Sequence, residues 1–212
     1  MKLLIYFIIL LFVNTSNAQS FEGIIKYAVE PKNPTPGFIS EEEFHKKNPN
    51  LKSHNELFFY KNGNYKWVNN KNIDLYDVTK KRVYTYVIGA DTSLWNDATY
   101  ASDSILEIKK TLNKDTVLGF ICESMMIRTK WGKTTFSFHR NQLKIDASKL
   151  ADHTYKYLNE FLKEANCLPL KIVYKSAFDL VSYTAIEIKE QPIDDKEFLI
   201  PAFRYPIKNH HQ

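Results

Sequence analysis

Short runs of β-branched and aromatic residues, separated by turn residues, recur along most of this 212-residue chain. Residues 21–29 form the first run, and a group of three prolines follows it. Residues 56–60 and 65–68 flank Asn62-Gly63, a pair that supplies the two positive φ angles of a tight hairpin turn. The pattern predicts about nine or ten strands, and their short connections favour antiparallel pairing. The further predicted strands are 73–78, 83–88, 105–112, 117–128, 134–139, 170–175 and 180–189, and residues 198–203 are expected to end the ordered part.

Two segments have helical features instead. Ser40 and Glu43 form a capping box, with three acidic residues in the first turn and two lysines in the last, which predicts a short helix ending before Asn48-Pro49. Residues 153–165 place apolar side chains at helical spacing, with Asp152 as N-cap, so this helix should lie against a sheet. Residues 89–104 are polar and irregular, which predicts a long loop.

Several strands carry large apolar residues on both faces. Leu57 and Phe59 alternate with Phe58 and Tyr60, so both faces of the sheet must be covered. The expected fold is mainly β (α+β): a strongly curved antiparallel sheet, or incomplete β-barrel, with one helix packed on its concave side. Any part that the helix leaves uncovered would be an apolar cavity. The residues expected to line it are Phe59, Trp67, Tyr84, Tyr86, Phe136, Phe138, Leu158 and Phe161. Ordinary core packing remains the alternative for each.

The chain begins with the features of a secretory signal peptide. Lys2 precedes an apolar run over residues 3–13 that is too short to span a bilayer, and Ser16 and Ala18 form a small-residue cleavage site. We expect residues 1–18 to be removed, residues 19–205 to form a single β-rich domain, and residues 206–212 to be a flexible tail. No cysteine stands at the cleavage site directly after the apolar run, so no lipid anchor is expected. No later apolar stretch is long enough to span a bilayer, so no transmembrane anchor is expected after cleavage. The expected location is the periplasm, with an extracellular location as the alternative.

Charge and cysteine content narrow the function classes. The formal net charge of +5 is mild and the basic residues are interleaved with acidic ones, which argues against nucleic-acid binding. The two cysteines, Cys122 and Cys167, are expected to form a disulfide, because thiols oxidise outside the cytoplasm. Such a bridge would stabilise the fold by about 4 kcal/mol in the chain-entropy model.

No constellation of catalytic or metal-binding residues emerges. The six histidines lack zinc-ligand spacing, and the chain has no glycine-rich phosphate loop. Ser148, His139 and Asp152 supply the residue types of a catalytic triad, but no strand-turn-helix elbow carries the serine. Met125 and Met126 are expected to fill the core rather than bind copper. We therefore expect a protein without enzymatic activity, cofactor or metal.

Four short motifs resemble those of a known group of exported proteins. They are residues 21–27 (Phe-Glu-Gly-Ile-Ile-Lys-Tyr), 117–122 (Val-Leu-Gly-Phe-Ile-Cys), 168–170 (Leu-Pro-Leu) and 198–201 (Phe-Leu-Ile-Pro). The order is similar to that of GLPGLI-type domains of unknown function from Gram-negative envelopes, or of a sister family, since Leu170 stands where GLPGLI has glycine. The resemblance implies a LolA-like (lipoprotein-carrier-like) fold and no assigned catalytic residues.

The sequence thus leaves two functional expectations. The first is a non-enzymatic periplasmic protein that binds an apolar ligand, such as a lipid, an acyl chain or a lipoprotein, in the cavity of the curved sheet. The second is an envelope interaction or assembly factor whose core is fully packed and which binds another protein.

Overall fold

The computed structural model describes residues 20–101, 103–111 and 114–204, together with the backbone of 208–209; the predicted signal peptide lies outside these residues. Two α-helices, α1 (Glu41–Lys47) and α2 (Leu158–Ala165), accompany three 3-10 turns at Ala147–Leu150, Tyr155–Tyr157 and Asp195–Phe198. The strands are β1 (Gly23–Lys32), β2 (His54–Lys61), β3 (Asn64–Val68), β4 (Asn72–Asp77), β5 (Arg82–Val87), β6 (Leu94–Asp97), β7 (Ile105–Thr111), β8 (Thr116–Val117), β9 (Phe120–Ile121), β10 (Glu123–Thr129), β11 (Gly132–Phe138), β12 (Lys171–Ser176), β13 (Leu180–Glu190) and β14 (Lys208–Asn209).

One large sheet contains all strands except the small β8–β9 hairpin. Its order is β14-β6-β5-β4-β3-β2-β1-β13-β12-β11-β10-β7. Every pair in it is antiparallel except the two-residue pairing of β14 with β6. The edge strands β14 and β7 do not pair with each other, so the sheet does not close into a barrel. The prediction of a mainly β, antiparallel fold is confirmed.

The sheet curves strongly around the segment that contains α2. The Thr154 amide donates to the carbonyl of Ala98, directly after β6, over 2.8 Å. Glu164 forms an ion pair with Lys110 of β7, with the charged atoms 2.6 Å apart. In a flat sheet β6 and β7 would be about 48 Å apart, because ten strand spacings separate them. Residues 154–164 span at most about 36 Å even when fully extended, so the sheet must bring its two edges together.

The two faces of the curved sheet are covered by different parts of the chain. On the concave face, Phe161 of α2 stacks on Phe136, with ring centroids 4.4 Å apart, and meets the edge of Phe138 at 5.4 Å. On the convex face, the segment after β13 lies over β3 and β4, where Glu197 forms an ion pair with Lys66 at 2.8 Å. Each face is therefore covered in part, and Leu57 on the convex face remains 37% exposed.

The predicted turns and first helix are confirmed in their local geometry. Asn62 and Gly63 have φ angles of 51° and 90° and join β2 to β3. The Ser40 hydroxyl accepts a hydrogen bond from the Glu43 amide at the start of α1, at 3.1 Å. These features depend on neighbouring residues alone, which is why the sequence pattern is sufficient to predict them.

Other boundaries differ from the prediction because backbone strain or distant contacts decide them. Residues 117–128 form no single strand, since Leu118 and Gly119 adopt φ angles of 51° and 82° and turn β8 into β9. The predicted loop 89–104 contains β6, which pairs with β5 and whose Trp95 ring lies 3.8 Å from the Arg82 guanidinium.

The start of the late helix and the end of the chain also differ. The helix begins at Leu158 rather than after Asp152, because Lys156 and Tyr157 have φ angles of 54° and 58° that interrupt it. Residues 198–203 begin in the 3-10 turn Asp195–Phe198 and continue without helix or strand. Within the predicted flexible tail, Lys208–Asn209 forms β14, and the other tail residues lie outside the described part of the chain.

The pairing of β1 with β13 depends on the absence of a side chain at Gly23. A Cβ atom there would lie 2.1 Å from the Lys189 carbonyl oxygen, a distance that only backbone movement relieves. We expect Gly23→Ala to lower the free energy of unfolding by about 1–3 kcal/mol. Gly37→Ala is the matched control, because a Cβ at Gly37 meets nothing within 4 Å. Urea denaturation of both variants measures the difference, and equal stabilities would contradict the close approach.

Candidate functional site

The eight residues predicted to line one cavity are divided between the two faces of the sheet. Trp67, Phe136, Phe138, Leu158 and Phe161 belong to the concave core or pack against it. Phe59, Tyr84 and Tyr86 point to the convex face, as the strand alternation and the cross-strand pairs with Lys66, Leu75 and Ile73 show. The eight residues therefore do not line a common cavity.

The three phenylalanines of the concave face form packed core. Phe136, Phe138 and Phe161 are 4%, 1% and 0% exposed, respectively. Leu158, at the start of α2, and Trp67 are half-buried. The Trp67 ring stacks on Tyr27, and its indole N–H donates to the Glu56 carboxylate. Most of this aromatic set thus stabilises the fold, and only the half-buried members remain accessible.

The three convex-face aromatics lie at or near the C-terminal segment. The Phe203 ring meets the edge of Tyr86 at 5.3 Å, and burial raises the pKa of the Tyr86 hydroxyl. Tyr84 is 3% exposed, and the Lys66 ammonium lies 5.5 Å from the centre of the Phe59 ring. Tyr86 thus contacts the C-terminal segment, and this tertiary contact cannot be read from the strand pattern.

A cleft of about 340 Å³ opens on the concave side between β7, β10 and α2. It exists because α2 covers β10 but leaves the edge strand β7 partly open: Ile127 of β10 is 1% exposed, whereas its cross-strand partner Ile108 is 45% exposed. Met125, which is 2% exposed, contributes to its floor. The lining residues are Ile108, Lys109, Lys110, Met125, Glu160, Lys163 and Glu164.

The rim of the cleft consists of ion pairs. Lys110 and Glu164 approach to 2.6 Å and Lys163 and Glu160 to 2.8 Å. The Arg140 guanidinium also contacts Glu164, at 3.1 Å, and hydrogen bonds from Lys110 and Arg140 lower the pKa of the Glu164 carboxyl. Three lysines and two glutamates give the lining a net charge of +1. A carboxylate held ionised by two cations is suited to fixing the rim rather than to general-acid chemistry.

A buried histidine lies elsewhere on the concave face. His153 is 1% exposed; its Nε2 lies 3.0 Å from the Tyr65 hydroxyl, and its ring is 4.5 Å from that of Tyr76. Burial lowers the pKa of His153 to about 4, so the imidazole is neutral at pH 7. Enclosed by aromatic rings, it is a core residue without access for a substrate.

The triad drawn from the sequence is not assembled. The Ser148 hydroxyl donates to Asp146, and Asp152 forms an ion pair with Lys81. The His139 ring packs against Phe120 at 5.4 Å. Among the residues that the structure describes, no group of three or more His, Cys, Asp or Glu side chains is arranged to hold a metal ion.

Cys122 and Cys167 are both buried, and the structure records them as free thiols. Burial raises the pKa of both, that of Cys167 to about 12, so neither is an activated nucleophile. The disulfide stays a prediction. We expect the exported, denatured and unreduced protein to show no free sulfhydryl in a thiol assay; two sulfhydryls per chain would contradict the bridge.

The cleft residues were missed as a group because they lie far apart in sequence. Leu106, Ile108 and Lys110 share one face of β7, because successive side chains of a strand point to opposite faces. This alternation identifies the face but not the elements that pack against it. Met125 and Met126 were predicted to fill the core, and their exposures of 2% and 8% confirm this. Only the pairing of β7 with β10 and the position of α2 bring these side chains together.

No helix within the described ranges is long and apolar enough to cross a membrane.

No family model and no curated protein matches this chain. An uncharacterised conserved protein from Thermus thermophilus is similar in structure, with 7% identity, a TM-score of 0.47 and coverage of 89% of this chain and 91% of that one. PNGF-II is also similar, at 8% identity and a TM-score of 0.49, over 89% of this chain and 32% of that protein.

Proposed function

We propose that this protein is a non-enzymatic, exported binding protein that holds a single apolar chain, such as the acyl chain of a lipid or lipoprotein, in the cleft between β7, β10 and α2. The observation that carries the proposal is the exposed Ile108 beside the buried Met125 in a cleft of about 340 Å³. That volume falls in the lower part of the range of small-molecule sites, and suits one chain rather than a whole lipid.

The charges of the rim favour an amphipathic ligand with an anionic end. The lining carries an excess of one lysine over glutamate, and each of its lysines is ion-paired, Lys109 with Glu107 just outside the lining at 3.6 Å. A carboxylate or phosphate at the mouth would replace a glutamate as the partner of a lysine, whose side chain is long enough to reorient. An apolar tail on Ile108 and Met125 would then be combined with a charged head at the rim. The signal peptide predicted from the sequence would place such a carrier in the cell envelope.

A protein-binding role is the second candidate, and the position of β7 favours it. Among the residues that the structure describes, β7 pairs with β10 alone, so its other edge presents backbone groups on which a partner strand can add. The packed core of Phe136, Phe138 and Phe161 also agrees with a protein that needs no large cavity. Lys109 and Lys110 on this edge oppose pairing with a basic segment.

Filling the cleft tests the leading proposal. We expect Ile108→Trp to weaken binding of a fluorescent fatty-acid analogue by about tenfold or more, because the indole occupies the volume that the chain needs. Ile88→Trp is the matched control, since Ile88 is similarly exposed, at 54%, and does not line the cleft. Fluorescence titration of wild-type and variant proteins measures the affinities.

Native mass spectrometry of protein exported and purified without detergent separates the two candidates. An extractable lipid mass that Ile108→Trp removes supports the carrier. The cleft is contradicted as the binding site if the purified protein carries no bound mass and the Ile108→Trp variant binds the fatty-acid analogue as tightly as the wild type does. A polypeptide mass lost when Lys109→Pro blocks strand addition favours the protein-binding candidate.

A further inference from the structure

Three aromatic side chains at loop tips are turned away from the protein. Phe38, after β1, is 90% exposed; Phe178, between β12 and β13, is 86% exposed; and Trp131, between β10 and β11, is 66% exposed. Exposing one large apolar residue is common, but three at the tips of separate loops are an unusual arrangement.

The strand register places all three tips at the same end of the sheet. Lys32, at the end of β1, is paired with Leu180, at the start of β13. Gly132, at the start of β11, is paired with Ser176, at the end of β12. The loops that carry Phe38, Phe178 and Trp131 therefore leave neighbouring strands in the same direction. The turns of Phe178 and Trp131 are two strand positions apart, which is about 10 Å.

Hydrogen bonds hold each loop in the shape that exposes its ring. The Phe38 amide donates to the Thr35 carbonyl at 3.0 Å, and the buried Asn33 side chain donates to the Ile39 carbonyl at 2.6 Å. The Phe178 amide donates to the Ser176 hydroxyl at 3.1 Å. The Trp131 amide donates to the Asp103 carboxylate at 3.2 Å. The rings are thus presented by ordered loops.

Basic residues lie beside these tips. The cross-strand row Lys32, Leu180, Lys175, Lys133 and Arg128 runs along the strand ends, with Lys133 directly opposite Lys175. Like charges directly opposite each other destabilise a sheet. Lys32 and Arg128 have carboxylate partners in Glu30 and Glu107.

Three other lysines at this end have no such partner in the part of the chain that the structure describes. None of the ion pairs within the described ranges involves Lys130, Lys133 or Lys175, and the Lys130 ammonium lies 4.8 Å from the centre of the Trp131 ring. Of the acidic side chains at the same end, Glu41 pairs with His45, Glu43 pairs with Lys47, and Asp103 accepts from the Trp131 amide. Within the described ranges no ion pair involves Glu42 or Asp179, whose carboxylate accepts from the Ser176 hydroxyl at 3.4 Å.

We infer that this end of the sheet, formed by Phe38, Trp131 and Phe178 with Lys130, Lys133 and Lys175, docks on a lipid bilayer that carries anionic headgroups. Aromatic side chains partition into the boundary between headgroups and acyl chains, and lysines beside them meet the negative surface potential. A bilayer accepts several separate tips at once, whereas a protein partner of ordinary size offers apolar pockets in a contiguous patch. The surface is distinct from the cleft at β7.

Vesicle co-sedimentation tests this inference. We expect the mature chain to bind vesicles of equimolar phosphatidylcholine and phosphatidylglycerol, and to bind pure phosphatidylcholine vesicles more weakly. The triple variant F38S/W131S/F178S should bind the anionic vesicles at least about tenfold more weakly. K130Q/K133Q/K175Q should lose on the order of fivefold per lysine at low salt. The control is L118S/I121S/L199S, which removes three apolar side chains exposed by 43%, 65% and 65% outside this end.

Circular dichroism establishes that the variants fold, and an emission blue shift on vesicle addition that Trp131→Phe abolishes would locate the contact. Absence of wild-type binding, or equal binding of wild-type and F38S/W131S/F178S, overturns the inference. Aromatic-dependent dimerisation in solution without vesicle binding would assign the tips to a second copy of the chain and also overturn it. Ile108→Trp should leave vesicle binding unchanged, so failure of the cleft proposal is distinguished from failure of this one.

Discussion

Phe161→Ala is expected to lower the free energy of unfolding by about 3–5 kcal/mol, enough to leave a domain of this size close to unfolding. Phe161 is fully buried and is the side chain through which α2 contacts both Phe136 and Phe138. The substitution removes the free energy gained by burying the aromatic ring and leaves a cavity between the helix and the sheet. Chemical denaturation monitored by circular dichroism measures the loss.

Phe178→Ala is the control for this prediction, because that ring is 86% exposed and its removal should change stability by less than about 0.5 kcal/mol. A loss below about 1 kcal/mol for Phe161→Ala would show that α2 is not a part of the core. It would also weaken the proposed cleft, because α2 forms one of its walls.

We expect the stability of the protein to fall by about 3 kcal/mol between pH 6.5 and pH 4 on account of His153 alone. Burial lowers the pKa of His153 to about 4 in the folded protein, whereas an unfolded histidine has a pKa of about 6.5. Below pH 6.5 the unfolded chain takes up a proton that the folded chain does not, so acidification favours unfolding. The contribution is intact above pH 6.5 and is lost as the pH falls toward the folded pKa.

His153→Phe removes this titration and isolates its effect. The variant should be less stable than wild type at pH 7, because the Tyr65 hydroxyl loses its partner, but its stability should decline less between pH 6.5 and pH 4.5. Subtracting the stability of the variant from that of the wild type at each pH cancels the contribution of His54, because both proteins contain it. The pKa of His54 is raised, since its hydrogen bonds with the Lys52 carbonyl and Glu56 outweigh the effect of burial. Parallel curves for wild type and His153→Phe would contradict a neutral, buried imidazole.

Local features of the fold were predictable and non-local ones were not. The Asn62-Gly63 turn and the Ser40 cap follow from steric freedom and hydrogen bonds within a few residues. The start of α2 was misplaced because positive φ angles at Lys156 and Tyr157 depend on the contacts of the segment around them. β6 was missed because its four residues become a strand only through pairing with β5.

The candidate site shows the same division. Leu158 and Phe161 were correctly assigned to the helix face that packs on the sheet. Phe59, Tyr84 and Tyr86 were grouped with them although they lie on the convex face, because the sequence pattern identifies two apolar faces without saying which one the helix covers. The C-terminal segment, which packs on β3 and β4 and contacts Tyr86, has no sequence periodicity that predicts this position.

By itself the sequence determined the strand-and-turn pattern, the antiparallel class, the presence of one amphipathic late helix, and the need to cover both faces of the sheet. These follow from side-chain alternation and turn chemistry, which act between neighbours along the chain. Only the tertiary structure decided the cleft beside Ile108, the enclosure of His153 and the common direction of Phe38, Trp131 and Phe178. The physical reason is that each of these depends on which distant strands become neighbours, and strand order is set by packing of the whole chain.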